Sequence, residues 1–198
     1  MYSRLREAYT KHYSNNVLEF INSLKGEGHS GTFPEEQEKI KEYTQNINTY
    51  CEIGFNKGHS SHLVLENNPN VQVTSFDIGG DNSKKAYDFM KNIYGERLNV
   101  IWGDSTQTIK NTPNLNCDVF FVDGGHTSPV PEMDLQNIKK HLHDESIIIM
   151  DDVYCPAAEW CIDPHKAWKN EIDNNTIHEI YNFNNKKQTR GFAIGKLK

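Results

Sequence analysis

From residue 47 onwards, short apolar runs alternate with stretches whose apolar side chains recur every three or four positions. That beat predicts strands alternating with helices. Ile47 to Ile53, Val71 to Phe76, Leu98 to Trp102, Cys117 to Val122 and Ser146 to Met150 read as strands. Ser60 to Asn67, Asn82 to Tyr94 and Leu135 to Leu142 read as helices, the second with Ala86, Phe89, Met90 and Ile93 facing inward. Within the strands the apolar residues run on without alternating, as burial on both faces requires, so the sheet is expected to be parallel and covered by helices on both faces. Ile177 to Phe183 and Arg190 to Ile194 flank the polar run Asn184 to Gln188 and read as an antiparallel hairpin. Upstream, residues 3 to 24 carry Leu5, Ala8, Tyr9, Val17, Leu18, Ile21 and Leu24 on a helical period. Gly26 to Gly31 then reads as a loop, and Thr32 with Glu35 fits a capping box that opens a helix over about 33 to 45, Pro34 falling in its first turn.

Composition narrows this picture only a little. The chain has 198 residues, enough for one domain, with residues 1–30 as a helical N-terminal extension placed to cover a cleft, a partner or a second copy in a homo-oligomer. A net charge of −6 argues against a general nucleic-acid or anionic-membrane binder. No apolar run has the length of a membrane span, and Met1 to Ser23 lacks the apolar core of a signal peptide. Cys51 and Cys117 fall in predicted buried strands, Cys155 and Cys161 fall late, and no Cys-x-x-Cys pair exists. Reduced thiols and a cytoplasmic setting are the simplest expectation, with a Cys155–Cys161 pairing disfavoured.

The chemistry begins where the first strand stops. Glu52-Ile53-Gly54-Phe55-Asn56-Lys57-Gly58-His59-Ser60 passes from a strand through a glycine turn into a helix. A helix N-terminus offers free N–H groups and a positive dipole end, which suits part of a nucleotide-like ligand. Asp77 ends the second strand 23 residues beyond Gly54, near the spacing of a carboxylate that binds ribose hydroxyls. Asp77 is equally suited to ending its strand in the Asp-Ile-Gly-Gly turn.

Together with Gly103-Asp104-Ser105, Phe121-Val122-Asp123-Gly124-Gly125-His126 and Ile149-Met150-Asp151-Asp152, these motifs resemble, in order, those of class I S-adenosylmethionine-dependent methyltransferases. The resemblance is closest to the small O-methyltransferase group that includes the macrolide-sugar enzymes, and it runs from about residue 35 to the C-terminus. It implies an α/β, Rossmann-like, seven-stranded, mostly parallel sheet with a C-terminal antiparallel hairpin. It also implies that Glu52, Gly54, Phe55, Asn56, Gly58, His59 and Ser60 surround the methionine part of the cofactor. Asp77 and Ile78 would meet the ribose; Gly103, Asp104 and Ser105 would border the adenine, with Asp123 completing the wall.

Asp123, Asp151 and Asp152 stand at the ends of strands that are neighbours in that fold. Converging carboxylates repel unless a cation lies between them, and an all-oxygen set suits Mg²⁺, with another divalent cation as the alternative. The resemblance gives Asp123 and His126 the catalytic roles, His126 as general base. The plain structural readings stay open: Asp152 capping a helix, Asp123 closing its turn, His126 serving as a turn residue. His59 with His62 and His141 with His143 are weaker metal candidates. Tyr154 to Trp168 is expected to select a small-molecule acceptor, a sugar or phenol, with Trp160 over the cleft and Trp168 packing on the sheet. An RNA or protein acceptor and a non-catalytic cofactor-binding protein are the alternatives. A nicotinamide enzyme would want the tighter Gly-x-Gly-x-x-Gly turn.

Overall fold

The computed structural model describes residues 16–25, 30–155, 158–185 and 189–198. Strands β1 (Thr49–Ile53), β2 (Gln72–Asp77), β3 (Leu98–Trp102), β4 (Cys117–Val122), β5 (Leu142–Asp151), β6 (Ile177–Asn185) and β7 (Arg190–Leu197) form one sheet ordered β3-β2-β1-β4-β5-β7-β6. The first five run parallel, and β7 lies antiparallel to both β5 and β6. Helices α1 (helical in residues 16–23), α2 (Pro34–Tyr43), α3 (His59–Asn67), α4 (Asp81–Tyr94), α5 (Ser105–Asn111), α6 (Val130–Ile138) and α7 (Ile162–Asp173) cover it.

Successive strand residues feed opposite faces, so the continuous apolar runs build two cores. Val119, Phe121 and Ile149 pack with Ile40, Val64, Leu65, Ala86 and Met90 from α2, α3 and α4, and with Val17 and Ile21 from α1. Phe120, Val122, Ile148 and Met150 pack with Ile109, Leu135, Ile138, Ala167 and Trp168 from α5, α6 and α7.

Several boundaries depart from the sequence expectation for identifiable reasons. Phe33 rather than Thr32 takes the N-cap position of α2, and no side chain caps that helix, so the capping box does not form. Helix α6 starts at Val130 instead of Leu135, because Pro131 is tolerated in a first turn whose N–H groups need no partner. Helix α5 was not expected; Asp104 caps it by accepting from the Thr106 N–H at 2.9 Å. Of the N-terminal helix expected over residues 3 to 24, residues 1–15 lie outside the described residues, as does the hairpin tip at 186–188.

The cysteines correct the expectation of reduced thiols. Cys51 and Cys117 are paired across the neighbouring strands β1 and β4 with Cα atoms 5.9 Å apart, and Cys155 pairs with Cys161 at 5.8 Å. Both separations suit a disulfide. Chain distance hid the first pair, 66 residues apart, which only the sheet order brings together. No described helix is long and apolar enough to cross a membrane.

Trp168 is fully buried, and its indole N–H donates to Glu179 Oε2 at 2.7 Å. It fastens α7 to the hairpin, as expected of it. Trp168→Ala should cost about 3–5 kcal/mol, read as a lower midpoint in chemical denaturation with the slope unchanged.

Candidate active site

In a parallel sheet whose order turns outward from β1 and β4, the crevice beyond the carboxyl ends of the strands is open to ligand. Here it is a cavity of about 840 Å³ lined by residues following β1 (Gly54, Asn56), β2 (Asp77, Ile78), β3 (Gly103 to Ser105), β4 (Asp123 to His126) and β5 (Asp151, Asp152), together with Trp160 and Arg190.

The turn after β1 divides into two parts. Gly54, at φ +93°, lies so close to the Asp123 carbonyl that any Cβ would collide with it. The Asn56 N–H donates to Asp77 Oδ2 at 2.8 Å, and the Gly79 N–H donates to Asp77 Oδ1 at 2.7 Å. Asp77 therefore faces the cavity with both oxygens fixed in direction and lone pairs to spare. The rest of the turn supports this wall from behind. Phe55 is buried edge-on against the Tyr87 and Trp102 rings. Gly58 takes a left-handed φ of +79° where a side chain would strike Met90 and Phe55. His59 bonds Asn22 of α1 at 2.9 Å.

Glu52 needs correction. It was expected beside the cofactor's amino group, but its carboxylate is fully buried and accepts from Ser60 at 2.6 Å, Ser61 at 2.5 Å and Ser75 at 2.7 Å. Burial raises its pKa, and the serine hydroxyls partly restore the ionised form. Glu52 joins α3 to β1 and β2. Phe55, Gly58, His59 and Ser60 likewise stand behind the cavity wall and not on it.

On the opposite wall, Asp104 accepts from Thr106 through Oδ1 and is exposed. Behind Ser105 and Gly124 lies Asp134, an acid that the sequence reading missed. It is buried, and desolvation lifts its pKa to about 7, with the Ser105 hydroxyl opposing the rise.

The acids at the ends of β4 and β5 converge as the sequence suggested, with two additions. Asp151 is buried and accepts from Arg190 through Oδ2 at 2.9 Å. Its other oxygen faces Glu36 of α2, also fully buried. Among the described residues no N–H donor reaches Glu36 Oε1, Glu36 Oε2 or Asp151 Oδ1. Two carboxyls facing each other in this way need a shared proton or a cation between them. Burial, then Asp151 and Asp123, push the Glu36 pKa well up. Burial, then Asp151 and Asp152, do the same to Asp123. Asp151 is raised to about 6, with Arg190 opposing. Glu36 sits one turn before buried Ile40, so helical periodicity already held the signal that it points inward. Arg190 looked like a hairpin residue.

Asp152 takes a left-handed φ of +57° and contacts His126 Nε2 through Oδ2 at 2.8 Å. It does not cap a helix. The hydrogen bond to Asp152 raises the His126 pKa, and His126 is 41% exposed at the cavity mouth. The other histidine candidates are committed elsewhere: His62 to Tyr94, His141 to Ile109 and Leu115, His143 to Asp118.

Asp134 yields a stability prediction. Its folded pKa lies above the ordinary carboxyl value of 3.8, so the native state holds the proton more tightly. That contribution is full below about pH 4 and is lost as pH rises through about 7. Asp134→Asn should match the wild type near pH 4 and exceed it at pH 8, by on the order of 2–4 kcal/mol, since each tenfold difference in proton affinity is worth about 1.4 kcal/mol. Urea denaturation at the two pH values checks this.

A family model for a methyltransferase domain matches residues 51–153. No curated protein matches the sequence significantly. Among solved structures, the chain is similar to a Podospora anserina methyltransferase with bound S-adenosylhomocysteine (TM-score 0.71, 16% identity, 99% of this chain and 95% of that one). It is also similar to a Bacillus cereus O-methyltransferase in complex with S-adenosylhomocysteine (TM-score 0.71, 15% identity, 93% and 90% covered). A Geobacter metallireducens precorrin-6y C5,15-methyltransferase shares the fold at TM-score 0.64, with 13% identity over 89% of this chain and 95% of that one. The family match spans more than half of the chain, and its fold and strand-end motifs agree with it. The chain belongs to the methyltransferase-domain family.

Proposed function

We propose that the protein methylates a hydroxyl of a small molecule, using S-adenosylmethionine and a divalent cation such as Mg²⁺. The carrying observation is the acid cluster at the cavity floor: half-buried Asp123 beside buried Asp151, with buried Glu36 behind them and no donor on Glu36 Oε1, Glu36 Oε2 or Asp151 Oδ1. An oxygen-only donor set of this kind suits a hard cation. When bound, the cation would lower the pKa of the acceptor hydroxyl, and S-adenosylmethionine would supply the electrophilic methyl. Asp151 keeps one oxygen on Arg190 and turns the other toward Glu36. Asp152, expected beforehand as a ligand, contacts His126, and these two with Asp123 place ligand atoms within 4.8 Å of one another.

The chain's own contribution is orientation and proton removal. Gly54, Asn56, Asp77, Ile78 and Gly103 to Ser105 line the part of the cavity assigned to the donor. With S-adenosylmethionine held there, its methyl would pass to the acceptor oxygen as the carbon–sulfur bond breaks, with S-adenosylhomocysteine as the product to be released. Asp152 holds His126 Nε2, which fixes the tautomer and leaves Nδ1 to receive the hydroxyl proton. Trp160, 46% exposed, and Ile78, 81% exposed, give the mouth apolar surface for an acceptor ring. The lining carries Asp77, Asp104, Asp123, Asp151 and Asp152 against Arg190, a field that disfavours a nucleic-acid acceptor. The O-methyltransferase among the similar structures supports oxygen as acceptor atom.

Calorimetry should register binding of S-adenosylhomocysteine by the folded protein; no heat of binding would overturn the donor assignment. Excess EDTA should abolish turnover and Mg²⁺ restore it, whereas EDTA-insensitive turnover contradicts the cation. His126→Ala should lower kcat about 100-fold or more while S-adenosylhomocysteine still binds. Trp160→Ala should raise the KM of an aromatic acceptor up to about tenfold and spare the KM of the donor, as loss of one ring contact would.

A further inference from the structure

We infer that Cys155, Cys161 and Asp152 form a second cation site, one for a thiophilic ion such as Zn²⁺, which exists only when the Cys155–Cys161 disulfide is reduced. The site does not depend on the proposed O-methylation. The catalytic assignment leaves both cysteines unused and takes only one oxygen of Asp152. Asp152 gives Oδ2 to His126, and its Oδ1 lies 3.7 Å from Cys161 Sγ and 3.8 Å from Cys155 Sγ. All three ligand atoms fall within 4.8 Å of one another.

Those spacings match a tetrahedral thiolate site. With metal–sulfur bonds near 2.3 Å and metal–oxygen bonds near 2.1 Å, the edges of the tetrahedron are about 3.5–3.8 Å. The two sulfur–oxygen edges are therefore already set, and only the sulfur–sulfur edge must open, which cleavage of the disulfide allows. Asp152 is held for this by its left-handed backbone and by His126. Two thiolates make the set soft, unlike the oxygen cluster around Glu36 and Asp151. Access comes from a bay of about 460 Å³ lined by Cys155, Glu159, Cys161 and His165. Three protein ligands leave a fourth position for water or for His165, whose Nδ1 is buried without a hydrogen-bond partner among the described residues.

The chemistry balances with a dithiol reductant. It delivers two electrons and two protons, the Cys155–Cys161 bond becomes two thiols, and the reductant leaves as its own disulfide. Binding of the cation then expels the two thiol protons. An ion held at Asp152 Oδ1 draws charge from the carboxylate that orients His126, so loading is expected to slow methyl transfer.

Cd²⁺ is the probe, because thiolate–cadmium charge transfer gives an ultraviolet band that carboxylates do not. Reduced wild-type protein should bind one Cd²⁺ with that band, and oxidised protein should show none. Reduced Cys155→Ser/Cys161→Ser, which retains Cys51 and Cys117, should also show none, and Asp152→Asn should weaken binding at least tenfold. No band in the reduced wild type, a band that survives in the double variant, or equal bands in oxidised and reduced protein would each overturn the site. The comparison of redox states uses no variant, so a misfolded mutant cannot decide it.

Discussion

The constraint on which this molecule turns is the repulsion among acids delivered to one spot by the sheet. Val122 of β4 pairs with Met150 of β5, so the next residues, Asp123 and Asp151, stand at the same level on the carboxyl edge of the sheet. Strand β7 runs antiparallel with Phe192 opposite Asp151, which brings Arg190 within reach of that carboxylate. Helix α2 adds Glu36 from the other side of the sheet. Several buried carboxyls facing one arginine cannot all be ionised without further positive charge, and their raised pKa values express that conflict. A stability optimum would replace such a cluster with apolar packing; its retention in a cavity floor suits ion binding.

The wall built on the turns after β1 and β2 is organised on the opposite principle, with its acids held by hydrogen-bond donors. Glu52 is enclosed by three serine hydroxyls and locks α3 against β1 and β2. Asp77 is aimed by two backbone N–H groups. Gly54 lets the first turn pass within contact of the Asp123 carbonyl, so the two halves of the site are in register. One half is a rigid wall and the other a strained cluster, and the same pair of strands, β1 and β4, joins them.

Much of this was legible in the chain. Continuous apolar strands ending in Gly54, Asp77, Gly103, Asp123 and Asp151 announced a parallel sheet with chemistry at its carboxyl edge, because strand ends in such sheets share one rim. The hairpin followed from two strand-like runs that flank a polar stretch. What stayed hidden were contacts between segments distant in sequence. Glu52 read as a ligand because motif position does not reveal which way a carboxylate turns. Glu36 and Arg190 carried no motif, and their roles exist only once α2 and β7 meet at Asp151. The Cys51–Cys117 pairing depends on β1 and β4 being neighbours, which the order of residues along the chain does not display.

Titration with Mn²⁺, followed by electron paramagnetic resonance of the free ion, tests most directly whether the carboxyl oxygens of Glu36, Asp123 and Asp151 hold one hard divalent cation. One Mn²⁺ bound per chain is predicted in the wild type, displaced by Mg²⁺, with binding weakened at least tenfold in Glu36→Gln. A folded wild-type protein that leaves all Mn²⁺ free, or a Glu36→Gln variant that binds as tightly as the wild type, would contradict it.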